Sequence, residues 1–347
     1  MFSKKNKIKY KNSINNKNSI NNKNSINNKN SINNKNSINN KNSINNKNSI
    51  NSKNFRKTQK INCSPSVAGK TPNKNTCFTP IILDRIKMEY NKDHINNKIH
   101  ATNANEIWYD LHNKLTSCPK EDCWLKQIDD TNLRNKINKY IFAPKQPPNW
   151  KNEPNEWLTN VNIFDVLSQY EEAYPEFEFI GPSFIDFDTM IDNNACVTPE
   201  LCNFSLKEHI LKKKYKIGIT FNLDKHYQQG SHWVSMFIDI EDKFIFYFDS
   251  GGLIPIPKEM KVLVDRIIDQ GKQLNPPIKF KFYDNYQIEH QMGDTECGMY
   301  SIFFIITMLT NKVEDKVLHY QQKINLFKKK RIPDKYVEKY RNIYFNK

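Results

Sequence analysis

From Met299 to Leu309 every residue is apolar except Ser301 and Thr307. The run lacks the strict alternation of a half-buried strand and is long for a fully buried one. It predicts a helix that is hydrophobic nearly all round and therefore lies inside a core. A polar loop, Gln291-Met-Gly-Asp-Thr-Glu-Cys297, leads straight into it. Cys297 is thereby placed at the helix N-terminus, where unpaired backbone N–H groups and the positive end of the dipole favour a thiolate over a thiol. A cysteine so placed is a candidate nucleophile. By itself it reads more readily as a buried structural residue, the commoner fate of a lone cysteine. What decides between the two lies upstream.

Three strand candidates precede the loop: Lys216–Leu223, Trp233–Ile240 and Lys243–Phe248, the last two joined by Glu241-Asp-Lys as a hairpin turn. His232 stands just before the second and Asp249 just after the third. A hairpin brings the start of one strand beside the end of its partner, so the two side chains can be neighbours. Thiol hydrolysis needs this pair. The imidazole takes the thiol proton and later protonates the leaving amine, and a carboxylate on the other ring nitrogen fixes tautomer and orientation. Gln291 is the candidate oxyanion donor, acting with the Cys297 backbone N–H. Each alone has an ordinary reading: a half-buried histidine, a turn aspartate before Ser-Gly-Gly, an exposed loop glutamine. The glycines argue for the joint reading. Of nine in the chain, Gly230, Gly251, Gly252, Gly293 and Gly298 lie within three residues of these four positions.

Helix-like stretches at Trp157–Tyr170, Ser205–Lys213 and Lys258–Leu274 alternate with the strands, with strand-like pieces at Phe177–Ile180, Phe184–Phe187 and Ile278–Tyr283, and predict an α+β domain. The basic stretch Val313–Lys347 reads as helical. Upstream, Pro80–Tyr90, Asn105–Leu115 and Trp124–Tyr140 read as helices, and the proline-rich Ala143–Asn149 breaks the chain. The expected organisation is a tail and linker over 1–75, a helical accessory region over 78–145 and a catalytic domain over 150–347. Residues 11–52 repeat Lys-Asn-Ser-Ile-Asn-Asn, with Ser52 closing the last copy. One apolar residue in six fits neither a helix face nor a strand face, so the segment is expected to be disordered. Of the 53 Lys and Arg, 15 fall in residues 1–60, which hold no Asp or Glu; the other 38 face all 37 acidic residues. The net charge of +16 thus belongs to the tail, which is either solvated or a nonspecific contact for nucleic acid.

Seven cysteines, an odd number without a secretory signal, point to a reduced environment. Cys118, Cys123, Cys196 and Cys202 as a zinc set have spacings looser than Cys-x-x-Cys and no neighbouring histidine, so no metal is expected. No apolar run approaches the roughly 18 residues that a bilayer span needs, and no membrane contact is expected.

His-Trp, then Asp-Ser, then Gln-x₅-Cys-Gly resembles the family of the adenovirus protease and the ubiquitin-like-protein proteases, whose catalytic order is His, Asp, Gln, Cys. Trp157-Leu-Thr-Asn…Ile163 is similar to that family's Trp-Leu-Asn-Asp…Ile element, with Thr159-Asn160 in place of Asn-Asp. The wider string Gly230-Ser-His-Trp…Thr295-Glu-Cys-Gly-Met-Tyr-Ser is closer still to the polyprotein-processing proteases of large DNA viruses, of the African swine fever virus type. The resemblance spans about residues 155–345. It implies a papain-like fold with a central, mainly antiparallel sheet and a cysteine endopeptidase that needs no cofactor. Its substrate would be a viral precursor cut after Gly-Gly, or a precursor or conjugate of a ubiquitin-like modifier. Trp157 and Trp233 would then form two walls of a narrow channel that admits glycine. The resemblance also implies a host-cytoplasmic location at the virus factory and packaging in the virion. An inactive module that binds a modifier or nucleic acid is the rival class.

Overall fold

A computed structural model describes residues 61–191 and 195–347. The repeat tail lies outside them, and with it the expectations of disorder and of a nucleic-acid contact. The described residues fall within one compact unit, Arg56–Lys347. Its helices are α1 (Pro80–Asp93), α2 (Ala104–Lys114), α3 (Thr131–Ile141), α4 (Asn160–Ala173), α5 (Pro199–Cys202), α6 (Leu206–Leu211), α7 (Lys258–Gln273), α8 (Cys297–Thr310), α9 (Tyr320–Lys329), α10 (Asp334–Glu338) and α11 (Arg341–Tyr344). The strands of its main sheet are β1 (Phe177–Phe184), β2 (Lys216–Asn222), β3 (Trp233–Asp239), β4 (Phe244–Phe248) and β5 (Lys281–Asp284).

The sheet runs β1-β2-β3-β4-β5. Its two inner pairings, β2–β3 and β3–β4, are antiparallel, and the two outer ones are parallel, so the sheet is mixed. β3 is buried along its whole length, which explains its unbroken apolar reading. Side chains alternate across it. Trp233 and Phe237, with Phe244, Phe246 and Phe248 of β4, join the core around α8. Val234, Met236 and Ile238, with Ile245 and Tyr247, join the core under α7. α8 lies against the first face with thirteen of its fourteen residues buried, as its composition demands. No helix among the described residues is long and apolar enough to cross a membrane.

The accessory helices carry a core of their own, from Val67 to Phe142 around Trp108 and Trp124. This layer begins earlier than expected. Residues 61–75 are folded rather than linker: the Ser64 N–H donates to Ile141 O at 2.9 Å, and Cys63 bridges to Phe142. The expected helix Trp124–Tyr140 is broken. A 3₁₀ turn, Glu121–Gln127, ends before Asp130, whose carboxylate caps α3 by accepting the Asn132 and Leu133 N–H groups. Val313–Lys347 is also not one helix but a two-residue hairpin, Lys312–Val313 with Lys316–Val317, followed by α9, α10 and α11. Pro333 separates α9 from α10. Thr159 and Asn162 form a capping box at the start of α4.

The reduced-cysteine expectation fails for six residues. Cys63–Cys77, Cys118–Cys123 and Cys196–Cys202 are disulfides, and Cys297 is the free thiol. Cys118, Cys123, Cys196 and Cys202 form two local pairs. Separations of 5 and 6 residues bring their Cα atoms to 5.5 and 6.7 Å, within bridging range.

The end of the chain staples the layers together. The Asn346 side chain accepts the Asn62 N–H at 2.6 Å and donates to Asn62 O and Ala143 O at 2.9 Å. From α4, Gln169 donates to Lys139 O and Phe142 O at 2.8 Å, satisfying carbonyls at the end of α3.

Candidate active site

Cys297 is the first residue of α8 and is 1% exposed. Its N–H lies among those that have no acceptor within the helix. Gly298 lets the helix approach the segment before α4: a Cβ there would sit 2.8 Å from Leu158 Cβ, closer than such atoms pack. The carbonyl of the same Leu158 accepts the Trp233 indole N–H at 2.9 Å.

His232 and Asp249 meet as the hairpin predicts, with Nε2 of the imidazole 2.7 Å from Asp249 Oδ1. Cys297 is close enough to act on the same imidazole through hydrogen bonding and charge. Burial opposes the imidazolium, but the hydrogen bonds and charges of Asp249 and Cys297 outweigh it and push the His232 pKa up to about 10 from an ordinary 6.5. Asp249 is itself held. Asn285 Oδ1 accepts its N–H at 2.9 Å, Asn285 Nδ2 donates to its carbonyl at 2.6 Å, and the Gly251 N–H donates to Oδ1 at 2.8 Å. The raised pKa fixes the sign of two pH effects. Stability from the charged imidazole is complete below about pH 6.5 and is lost as pH rises through about 10. Activity should show its alkaline limb near pH 10, and Asp249→Asn should move that limb down toward the ordinary histidine range. A pH–rate profile of both proteins checks this; an unmoved limb would remove Asp249 from the role.

Gln291 is brought to the same place by the chain after Asp249: its N–H and that of His290 both donate to Ser250 O at 2.9 Å. Ser250 Oγ donates to Gln291 Oε1 at 2.8 Å, which orients the amide. Nε2 donates to Gly293 O at 2.6 Å, which uses one of the amide's two N–H groups.

The two tryptophans divide. Trp157 is 40% exposed and can meet a ligand. Trp233 is 7% exposed, packed in the α8 core with its N–H occupied by Leu158, so it backs the site from within rather than standing as an open wall.

Sequence reading missed four supports. Ser250 and Asn285 look like ordinary turn residues, and Leu158 like any core leucine. The fourth is Arg341, which bonds Glu296 through Nε and Nη2, both at 3.2 Å, in a buried pair whose glutamate precedes Cys297 in the chain. Arg341 also lies on the Trp150 ring, 4.5 Å from its centroid. A buried glutamate beside the nucleophile was the signal that a cation must be near.

Comparison with known proteins agrees with this geometry. Residues 184–345 match the model of the Ulp1 protease family, C-terminal catalytic domain. A protein of Acanthamoeba polyphaga mimivirus that carries the name thiol protease is 33% identical over 168 residues, 47% of this chain and 51% of its own length. At that identity it is a relative and not the same protein. A cysteine protease of African swine fever virus is 28% identical over 162 residues, 44% of this chain and 58% of its own. The chain thus spans about half the length of the curated relatives it matches. In fold it is similar to the crystal structure of the African swine fever virus protease, with a TM-score of 0.54 at 20% identity, over 83% of this chain and 97% of that one. That share exceeds the matched domain, so the likeness in fold takes in the accessory helices. The order of the motif, the hairpin that joins His232 to Asp249 and the match around them point the same way: residues 184–345 are similar to the catalytic domain of the Ulp1 protease family.

Proposed function

We propose that this protein is a cysteine endopeptidase with Cys297 as nucleophile. The observation that carries the reading is His232 held between Asp249 and Cys297 at the N-terminus of a buried helix. The Cys297 thiol passes its proton to the His232 imidazole, which holds it as the imidazolium. The thiolate adds to the scissile carbonyl, and the oxyanion is received by the Cys297 N–H and the free N–H of Gln291. His232 protonates the leaving amine as the thioester forms. Water then attacks the thioester with His232 as base, and the thiol is regenerated.

The substrate we infer is a viral precursor protein cut after Gly-Gly. Relatives in two large DNA viruses support the viral part. The exposed Trp157, one residue from the Leu158 that packs against Gly298, offers an aromatic face near the start of α8 for a substrate backbone. A relative in African swine fever virus carries the name SUMO-1 cysteine protease, which favours processing of a ubiquitin-like modifier as the second reading. With the first reading go a site of action in the host cytoplasm at the virus factory, packaging in the virion, and a nonspecific nucleic-acid contact through the 15 basic residues of the first 60.

Peptides differing only at the two positions before the cut test the specificity. The wild type should cleave Gly-Gly and leave Ala-Gly and Gly-Ala nearly untouched. Trp157→Ala should lower kcat/KM for Gly-Gly by about tenfold or more. Equal cleavage of all three peptides would sink the Gly-Gly assignment. Failure of a Gly-Gly aldehyde to bind Cys297 would favour the binding-module class. Cleavage of a ubiquitin-like precursor in preference to the peptides would favour the second reading.

A further inference from the structure

The loop that carries Gln291 is gripped from the C-terminal side by a carboxylate. Asp334, the first residue of α10, accepts the Met292 N–H at 3.2 Å through Oδ1 and 3.1 Å through Oδ2, and its Oδ2 accepts the Gly293 N–H at 3.2 Å. Arg331 Nη2 stands 3.4 Å from Oδ2. The Tyr300 hydroxyl, one turn into α8 from Cys297, is 2.9 Å from Oδ1 and 2.6 Å from Ile332 O, and its single proton serves one of them at a time. Two peptide donors and a guanidinium converge on one side chain. Only an acceptor-only group satisfies them all, and charge strengthens each bond.

The grip continues along the loop. The Ile332 N–H donates to His290 Nδ1 at 3.0 Å, so Nε2 carries the ring proton and donates to Phe327 O at 2.9 Å. Arg331 Nε donates to His290 O at 2.9 Å. Residues 290–293 are therefore seated on residues 327–334. The step that matters for chemistry is short. Asp334 fixes the Gly293 peptide, Gly293 O takes one N–H of Gln291, and Ser250 takes Oε1. Both ends of the Gln291 amide are then pinned, and the remaining N–H has one direction left.

We propose that Asp334 is a positioning residue for oxyanion stabilisation, acting through the Gly293 peptide on the Gln291 amide. The proposal rests on the reading of Cys297 as a hydrolytic nucleophile. In Asp334→Asn the shape is kept, but an amide N–H₂ faces one of the peptide donors. The Gly293 peptide loses its anchor, and the Gln291 amide loses its set.

The test separates oxyanion chemistry from thiol chemistry in the full-length chain. Hydrolysis of a Gly-Gly anilide and binding of a Gly-Gly aldehyde both create an oxyanion. Alkylation of Cys297 by iodoacetamide does not: the sulfur displaces iodide and no carbonyl oxygen gains charge. For Asp334→Asn we expect kcat to fall about tenfold or more, staying within the 10²–10³ of losing the donor itself, with KM little changed. Aldehyde affinity should fall in proportion to kcat/KM, and the alkylation rate should stay at wild type. In the double variant with Gln291→Ala, the Asp334→Asn loss should vanish, because the two act in series. Asp334→Glu, which keeps the charge but displaces it by one methylene, should show the same pattern and serves if Asp334→Asn does not fold. A kcat at the wild-type value, losses that add in full to Gln291→Ala, or an alkylation rate that falls with kcat would each overturn the proposal while the protease reading stands. A wild-type chain that neither cleaves the anilide nor binds the aldehyde would overturn both.

Discussion

Cys297→Ala is expected to abolish hydrolysis of a Gly-Gly peptide while leaving the thermal melt nearly unchanged. The sulfur is the only atom lost, and the helix keeps its first residue. The chemistry has no substitute: the other six cysteines are paired in disulfides, so no second thiolate is at hand. Loss of a nucleophile that works as a unit with its base costs on the order of 10⁶ in kcat in a comparable triad, and His232→Ala should cost as much for the same reason. Steady-state rates, a melt and a thiol titration of the native protein check the result together. The titration should fall from one thiol to none in Cys297→Ala. Turnover at the wild-type rate would end the assignment of Cys297.

Arg341→Ala should damage both fold and site. The Glu296 and Arg341 side chains are 2% and 4% exposed, and burial pushes the Glu296 carboxyl up and the Arg341 guanidinium down, each toward its neutral form. Mutual hydrogen bonds and charge oppose that drift. Removing the arginine leaves a carboxylate in a place without solvent, and breaking a buried pair from one side costs about 3–5 kcal/mol. It also strips the cover from Trp150, whose edge-on contact with Phe345 at 5.0 Å then lacks its third partner. Glu296 immediately precedes Cys297, so a shifted or protonated Glu296 moves the turn that delivers the nucleophile. Double replacement by an isosteric apolar pair, Glu296→Leu with Arg341→Met, should recover much of the stability, because no charge is left stranded. Chemical denaturation of the three proteins decides the matter; a single Arg341→Ala as stable as wild type would show the pair to be idle.

The centre of the fold was legible because its residues have one environment. An eleven-residue apolar run can only be interior, and β3 and β4 are apolar on both faces because cores lie on both faces. The His232–Asp249 pairing followed from hairpin geometry and needed no tertiary knowledge. Contacts between residues distant in sequence were not legible. Nothing in Asn62 announces Asn346, and nothing in Met292-Gly293 announces Asp334. Such bonds are made to backbone groups, which every residue has, so the partner leaves no mark on composition. The cysteines failed for another reason. The odd count was taken to argue for free thiols, although three local pairs and one thiol left over give the same count.

The Glu296–Arg341 pair and the Asn346 staple have a consequence for the order in which the site is assembled. A ribosome makes His232, Asp249, Gln291 and Cys297 before it makes residues 331–346, yet the contacts that seat the nucleophile's turn and close the two layers come from those later residues. A nascent chain that has exposed all four candidate positions still lacks the cation that pairs with Glu296. The surroundings of Cys297 are therefore completed only once residues 331–346 have been made. Chains that stall before Arg341 carry the chemical groups without the contacts that hold them.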